Sequence, residues 1–207
     1  MKQLFVASAL VALAAFATPA AAAIVTFDAT ATPALGVTGD GTTYSEAGLT
    51  FVSSVGGPGN LHELNHWGEG DAYNADPGGA TLFQRFIGSF LTITRTGGGA
   101  FFLAGFDVAD VYNNGSAGPI VYSWVDGGGA HEGFFNLDAD VGLQTLNLNL
   151  SGVTSFTLQQ SAPYLQIDNV AFETAAVPEP GAWALMILGF GAAGAALRRR
   201  PSAQPAG

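Results

Sequence analysis

Short runs in which apolar and polar residues alternate, separated by clusters of glycine, fill residues 24–176. In the clearest run Leu146, Leu148 and Leu150 alternate with polar residues, so a β-strand would place all three leucines on one face. No ten-residue stretch of this region has the periodicity of an amphipathic helix. The pattern therefore predicts an all-β domain.

The alternating runs predict nine strands. They cover residues 24–29, 49–55, 90–95, 101–108, 120–125, 133–137, 143–150, 155–160 and 164–172. Glycine triplets at 97–99 and 127–129 lie between strands and have no helix after them, so they favour hairpin turns over phosphate-binding loops. Because no helix separates the strands, we expect antiparallel sheets packed face to face as a jelly-roll-like β-sandwich.

Length, cysteine content and charge limit what this region can be. Residues 24–173 have the size of one domain with its own core, and residues 174–177 are expected to form a linker. The chain has no cysteine, which excludes disulfides, thiol catalysis and Cys-ligated zinc. Residues 24–176 hold two basic and fifteen acidic residues, a net charge of −13. This balance argues against nucleic acid as a partner, because phosphates require Lys and Arg.

The N-terminal end has the three parts of a secretory signal peptide. Lys2 supplies the positive charge, residues 4–16 the apolar segment, and four alanines at 20–23 the small residues of a cleavage site. We predict a signal-peptide helix within residues 1–23, export through the Sec translocon, and cleavage by signal peptidase after Ala22 or Ala23.

The C-terminal end combines a rigid segment, an apolar segment and positive charge. The Pro-Glu-Pro sequence at 178–180 favours an extended backbone, since each proline fixes φ and disfavours helix in the residue before it. Residues 182–197 carry no charge over sixteen positions, slightly fewer than the roughly 20 residues that span a bilayer core. We predict a transmembrane helix here, with the arginines at 198–200 cytoplasmic, the preceding domain on the far side, and a disordered tail at 201–207.

This order of parts resembles the PEP-CTERM sorting signal of Gram-negative bacteria, in the subclass with Trp-Ala two residues after the triplet. The residues that carry the resemblance are Val177, Pro178, Glu179, Pro180, Trp183, Ala184, Arg198, Arg199 and Arg200. It implies a sorting signal at 178–200, recognition by an exosortase, which is a membrane cysteine transpeptidase-like enzyme, and cleavage near Pro180. An inner-membrane precursor with a periplasmic domain would then yield a protein at the cell surface or outside the cell. The alternative is an ordinary single-span anchor.

Three short segments of the central region resemble the jelly-roll domains that commonly precede this signal. They are residues 26–28, 44–51 and 165–172. The resemblance implies a lectin-like or carbohydrate-binding-module-like sandwich, a fold that hosts many functions.

His62, Glu63 and His66 satisfy the H-E-x-x-H pattern of zinc proteases. That chemistry needs a helix, because only helical spacing places both imidazoles on one face beside the glutamate. Glycine-rich segments at 56–59 and 68–70 leave room for at most about two turns of helix. Three interpretations remain open: a metal-dependent hydrolase, a non-catalytic metal site, and a plain polar loop, which the flanking glycines favour.

Calcium is the metal that suits the acidic composition best, because a hard cation prefers oxygen ligands. One candidate site is the loop that contains Asp71 and Asp76. A second pairs Asp28 on the first predicted strand with Asp168 on the last, since first and last strands are often neighbours in jelly rolls. The alternative is that these carboxylates cap turns and bulges.

Aromatic residues in or beside polar loops are candidates for stacking on sugar rings. They are Trp67, Tyr73, Tyr112 and Trp124. The alternative, favoured for Trp124 by its apolar neighbours at 120–125, is that a tryptophan of a sandwich anchors the core.

Three functional hypotheses of different classes follow. The first, which we favour, is a non-catalytic surface or matrix protein associated with exopolysaccharide or biofilm. The second is a glycan-binding module stabilised by calcium, and an exposed aromatic platform would support it. The third is a metal-dependent hydrolase that uses His62, Glu63 and His66, and it requires both histidines to converge on a third ligand.

Overall fold

The computed structural model describes residues 22–31, 36–54, 64–84, 88–159, 164–174, 187–194 and 198. The chain divides into two compact units, of which the larger comprises Ala20–Ala175 and the other Met1–Pro19 with Ala176–Gly207. The described part of the larger unit consists of β-strands and one short 3₁₀ turn, Asp28–Thr30. The all-β prediction is confirmed for this unit.

The strands form two antiparallel sheets. In chain order they are β1 (Ala22–Val25), β2 (Val37–Gly41), β3 (Thr43–Glu46), β4 (Leu49–Ser53), β5 (Leu64–Trp67), β6 (Leu82–Phe83), β7 (Phe90–Arg95), β8 (Phe101–Asp110), β9 (Gly118–Asp126), β10 (Gly129–Leu137), β11 (Gln144–Val153), β12 (Ser155–Gln159) and β13 (Leu165–Thr174). Sheet 1 has the order β11-β8-β13-β6-β5-β2, with β1 also paired to β13, and sheet 2 has the order β10-β9-β12-β7-β4-β3. The first and last strands are therefore neighbours, with Val25 opposite Val170.

The main core contains large apolar side chains from both sheets. Phe51 and Ile93 of sheet 2 and Leu103, Phe106 and Phe172 of sheet 1 are at most 2% exposed. Each buried side chain of this kind contributes about 1.5–3 kcal/mol relative to its exposed state. In a chain without disulfides, this contact between two sheets is what holds the sandwich together.

The strand with the clearest alternation is confirmed. In β11 the side chains of Leu146, Leu148 and Leu150 are partly buried and pack against the main core, while the residues between them are exposed. β7 has its predicted bounds, and the other predicted runs overlap observed strands whose ends are shifted.

Four short strands were not predicted, namely β2, β3, β5 and β6. All four residues of β5 are buried, so no alternation marks this strand in the sequence. β2 contains Gly39 and Gly41, which have low strand propensity. The prediction of a plain polar loop around the H-E-x-x-H sequence is therefore wrong for Leu64–Trp67.

The predicted first strand ends earlier than expected. Phe27 adopts a left-handed backbone conformation with φ 56°, and the backbone N–H of Thr30 donates to its carbonyl at 2.8 Å. This turn ends the extended chain after Val25 and places Asp28 in the 3₁₀ turn rather than on a strand.

The two glycine triplets have different roles. Gly129 lies opposite Asp126, so the triplet at 127–129 forms the predicted β9–β10 hairpin. The triplet at 97–99 has φ angles of 80°, 85° and 94°, but it connects β7 of sheet 2 to β8 of sheet 1. The predicted hairpin is wrong there, because the chain changes sheet.

Most terminal predictions fall outside the described residues. These include the signal peptide up to residue 21, the linker after Thr174, and the tail at 201–207. Ala22 and Ala23 already pair with β13. Within the predicted transmembrane segment, residues 187–194 are helical, as is residue 198 beyond it. A helix with the length and apolar character needed to cross a bilayer is not found among the described residues.

Candidate functional site

An open cavity of about 140 Å³ lies on the outer face of sheet 1, across β11, β8 and β13. The pairing of both outer strands with β8 shifts register at this level, which marks two bulges. Asn149 and Asn169 lie at these shifts in left-handed conformations, with φ 53° and 49°. Asparagine tolerates this conformation better than most residues, and bulges redirect side chains. The bulges therefore bring two asparagines to one cavity.

Glycine is required at position 105, in the part of β8 that lines the cavity. A Cβ atom on Gly105 would overlap the backbone carbonyl oxygen of Leu146 on β11 and lie 3.2 Å from Cα of Asn147. Ala104 and Ala171, which also line the cavity, have short side chains. The neighbouring strands thus approach closely, and the floor of the cavity is backbone and methyl groups.

Asp107 organises the polar wall of the cavity. Its Oδ1 accepts a hydrogen bond from Thr145 Oγ1 at 2.7 Å, and its Oδ2 accepts one from Asn169 Nδ2 at 2.9 Å. Asn147 and Asn149 also line the cavity and are exposed. Neither asparagine side chain has a hydrogen-bond partner among the described residues. The wall therefore combines fixed groups with free amides.

Two carboxylates from separate segments lie close together, and their negative charges act on a third, Asp168 of β13. A Cβ atom on Gly79 would overlap oxygens of both Asp28 and Asp76, so these two carboxylates lie close together. Burial raises the pKa of Asp168 to about 8, and the negative charges of Asp76, Asp28 and Asp107 contribute in the same direction. The ion pairs found among the described residues involve other carboxylates.

The structure groups the predicted calcium ligands differently from the two candidate sites that the sequence suggested. Asp76, from the other candidate loop, lies beside Asp28, and the negative charges of both act on Asp168, so the pairing of Asp28 with Asp168 in one site stays a prediction. Asp71 accepts the backbone N–H groups of Gly36 at 2.7 Å and Tyr73 at 2.9 Å. Asp76 likewise accepts the backbone N–H of Gly78 at 3.2 Å, so both carboxylates also cap turns. Among the described residues, no group of three or more His, Asp or Glu side chains is arranged so that it could hold a metal ion.

Three of the four predicted sugar-stacking rings form one cluster at the end of sheet 1. The ring centroids of Trp67 and Tyr73 are 5.3 Å apart, and those of Tyr73 and Tyr112 are 5.6 Å apart. Trp67 is only 4% exposed, stacks on Phe83 at 4.9 Å, and donates its indole N–H to the Val111 carbonyl. Its ring faces protein, so the exposed surface of the cluster belongs to the two tyrosines.

Trp124 is separate from this cluster. It lies on β9 of sheet 2 opposite Phe156, packs against the main core, and stacks on His131 at 4.9 Å. The alternative interpretation of Trp124 as a core anchor agrees with this position.

His66 lies on a strand and not on the helix that the H-E-x-x-H chemistry needs. Its Nδ1 is 2.9 Å from Oδ2 of Asp40, and the ring is 2% exposed. Its Nε2 is buried and has no hydrogen-bond partner in the described part of the chain. His62 and Glu63 lie outside the described residues.

Sequence reasoning missed the polar residues of the cavity. Asp107, Asn147 and Asn169 are distant in sequence, and only strand pairing brings them together. A partial signal exists in β11, where asparagines 147 and 149 fill the outward positions between the inward leucines.

Of the predicted sorting residues, only Arg198 lies among the described residues, where it is exposed on a helix. No curated protein matches the chain. Residues 176–200 match the PEP-CTERM protein-sorting motif. The chain therefore carries the signal of an exported protein, made as a membrane-anchored precursor that an exosortase processes.

Proposed function

We propose that this chain is a non-catalytic bacterial surface or extracellular-matrix protein that associates with exopolysaccharide. On this proposal its signal belongs to the subclass with Trp183 and Ala184 after the Pro-Glu-Pro sequence. The sandwich crosses to the periplasm, signal peptidase and exosortase process the two ends, and the domain reaches the cell surface or the matrix.

The observation that carries the proposal is the sorting motif at 176–200, which follows an all-β domain. The charge of the domain is consistent with a partner that has no phosphate groups. Among the described residues of the sandwich, Arg95 is the only Lys or Arg. A neutral polysaccharide, unlike a nucleic acid, needs no such charges for recognition.

The geometry around His66 supports a non-catalytic role. A zinc hydrolase requires its two histidines one helical turn apart, and Leu64–Trp67 is extended. His66 is instead paired with Asp40 in the interior of the domain.

The test of sorting is the intact mass of the exported protein from cells with and without the exosortase. We expect loss of the segment after Pro180 only where the enzyme is present. A variant with Arg198, Arg199 and Arg200 changed to Gln should remain unprocessed, because the charges that fix orientation are lost. The matched control Arg95→Gln, in the sandwich, should be processed normally. An unchanged full-length chain in cells that have the enzyme would indicate an ordinary anchor instead.

The test of polysaccharide association is co-sedimentation of the purified domain with exopolysaccharide from the same cells. We expect the domain in the pellet with the polysaccharide and in the supernatant without it. An acidic β-sandwich protein of similar size from another source serves as the control. Recovery of the domain in the supernatant in both cases would contradict the association.

The aspartate cluster favours calcium as a structural partner of this domain. Asp28 and Asp76 lie close together, and no described ion pair neutralises them. Ca²⁺ accepts carboxylates together with backbone carbonyls and water, so other oxygen ligands can complete a site that has two carboxylates. Metal analysis of the purified domain tests the proposal, and a calcium content near zero after dialysis against Ca²⁺ would contradict it.

A further inference from the structure

The cavity on the outer face of sheet 1 is lined by groups that match hydroxyls. A sugar hydroxyl both donates and accepts hydrogen bonds, so a site for it needs donors and acceptors close together. Asn147 and Asn149 supply exposed amides that have no partner among the described residues. Thr145 uses its hydroxyl proton on Asp107, which leaves the oxygen lone pairs as acceptors.

Asn169 adds a directed acceptor. Its side-chain nitrogen donates to Asp107 at 2.9 Å and to Asp168 at 3.3 Å, which uses both of its protons. These two bonds fix the orientation of the amide, and the carbonyl oxygen accepts no hydrogen bond from the described residues.

The shape and charge of the cavity select among polar ligands. The floor at Ala104, Gly105 and Ala171 consists of backbone and methyl groups, which suits the C–H face of a pyranose ring. A volume of about 140 Å³ is small for a ligand site, so it fits one ring rather than an extended chain. The lining carries one carboxylate and no basic residue, which disfavours phosphate, sulfate and uronic acids.

We propose that this cavity binds a single neutral sugar unit of a polysaccharide, with Asn147 and Asn149 as the groups that contact its hydroxyls. This inference rests on the proposed association with exopolysaccharide and assigns it a site. The site differs from the tyrosine surface at Tyr73 and Tyr112, which the cavity lining does not include. Asp107 acts as the positioning residue of the wall, because it holds the side chains of Thr145 and Asn169.

The experiment uses nuclear magnetic resonance of the compact unit formed by residues 20–175, labelled with ¹⁵N. D-glucose, D-galactose, D-mannose and N-acetyl-D-glucosamine are added separately, and sodium D-glucuronate is the anionic comparison. We expect at least one neutral sugar to shift the backbone amides of Gly105, Thr145 and Asn169 in a saturable manner, and glucuronate to bind more weakly.

The variant Asn147→Ala should weaken binding of that sugar by about fivefold, because it removes one neutral hydrogen-bonding group. The matched control is Asn136→Ala, at an exposed position of β10 in sheet 2, and its affinity should equal that of the parent domain. Both variants should melt like the parent, since neither side chain has a partner among the described residues. Equal affinity of the Asn147→Ala variant and the parent, or no saturable shift with any of the four neutral sugars, would overturn the proposal.

Failure of this site and failure of the proposed function give different results. Exopolysaccharide that still sediments the Asn147→Ala variant as well as the parent would overturn the site and leave the association intact. Saturable binding of a sugar at the cavity, without sedimentation by exopolysaccharide, would support the site and contradict the proposed function.

Discussion

The side-chain nitrogen of Gln166 donates a hydrogen bond of 2.7 Å to the backbone carbonyl of Asp110. The same amide donates to the Tyr73 carbonyl at 2.9 Å and accepts from the Ala75 N–H at 3.0 Å and from Thr81 Oγ1. Gln166 is fully buried on β13. One side chain therefore fixes the loop after β5 and the end of β8, which together carry the tyrosine surface and Asp76.

We expect the variant Gln166→Leu to lower the free energy of unfolding by about 2–4 kcal/mol, because it leaves several buried polar groups without partners. Urea unfolding of residues 20–175 measures this. The control Gln159→Leu, at an exposed position of β12, should change stability by less than about 0.5 kcal/mol. Equal effects of the two substitutions would show that the hydrogen bonds of Gln166 do not stabilise the loops.

The sequence predicts the parts of this fold that depend on local pattern. β11 was predicted from Leu146, Leu148 and Leu150, since one buried face imposes a period of two. β5 was missed because Leu64–Trp67 is buried on both faces, which removes the alternation. The turn at Phe27 was missed because nothing in the sequence marks a phenylalanine with positive φ.

For the candidate sites as well, the sequence predicts what depends on local pattern and misses what depends on tertiary contacts. The proximity of the first and last described strands was predicted, and Val25 does lie opposite Val170, but Asp28 lies beyond β1 in the 3₁₀ turn because the extended chain ends after Val25. The cavity wall was not predicted, because the contact of Asp107 with Asn169 depends on bulges whose register is set by three strands together. Register of this kind is a tertiary property, and propensity does not encode it.

We expect the variant Gly105→Ala to destabilise the domain by roughly 1–3 kcal/mol, because the new methyl group would overlap the Leu146 carbonyl. β8 would have to move away from β11, so the cavity should change as well. The control is Gly127→Ala, since a Cβ atom there would contact nothing within 4 Å. Thermal melting of both variants measures the difference. If the Gly105→Ala domain were as stable as the control, β8 could move away from β11 without loss of stability.

The raised pKa of Asp168 predicts that the domain loses stability as pH rises. The pKa of this carboxyl is near 3.8 in the unfolded state and about 8 in the folded state. Between these two pH values the carboxyl is therefore protonated in the native state and ionised in the unfolded state. The native state then binds the extra proton, so its contribution is fully present below pH 4 and is lost as pH rises through 8. Urea unfolding from pH 5 to pH 9 measures this slope.

Asp168→Asn should make the stability less dependent on pH over this interval, because the amide does not titrate. Asp140→Asn, at an exposed loop position, should leave the slope unchanged. A slope that persists in the Asp168→Asn variant would assign the pH dependence to another group.

The buried pair of Asp40 and His66 should stabilise the folded domain more than the exposed pair of Asp126 and His131 does. Asp40→Ala leaves both ring nitrogens of a buried histidine without a partner, since Nε2 already has none among the described residues. We expect a loss of about 1–3 kcal/mol. Asp126→Ala breaks the more exposed pair with His131, where water replaces the carboxylate, and should cost less than Asp40→Ala.

A double variant distinguishes the loss of the Asp40–His66 interaction from other effects of the substitutions on stability. Asp40→Ala combined with His66→Phe removes the polar ring as well, so it should be more stable than Asp40→Ala alone. Chemical unfolding of the two single variants and the double variant completes the cycle. If the double variant were the least stable, the interior would require the imidazole for its shape and not for its bond to Asp40.

The calcium proposal predicts that Ca²⁺ stabilises the domain, with Asp28 and Asp76 as the two carboxylates that lie close enough together to share the ion. Bound Ca²⁺ would hold the Asp168 carboxyl ionised, which opposes the loss of stability at high pH. At a calcium concentration a hundred times the dissociation constant, the gain is about 2.7 kcal/mol. For a domain of this size, that gain corresponds to a melting temperature higher by roughly 5–10 °C. Melting at pH 8 in excess Ca²⁺ and in excess chelator measures the shift.

Two aspartates from one loop give a matched comparison for this effect. Asp76→Asn removes a carboxylate that lies against Asp28 at Gly79, so it should abolish the calcium-dependent shift. Asp71→Asn changes a residue whose oxygens accept backbone N–H groups of Gly36 and Tyr73, so it should preserve the shift even if the protein melts at a lower temperature. The same shift in both variants would place the ion elsewhere. Identical melting of the parent domain in calcium and in chelator would contradict the calcium proposal and would mean that Asp28 and Asp76 lie together without a cation.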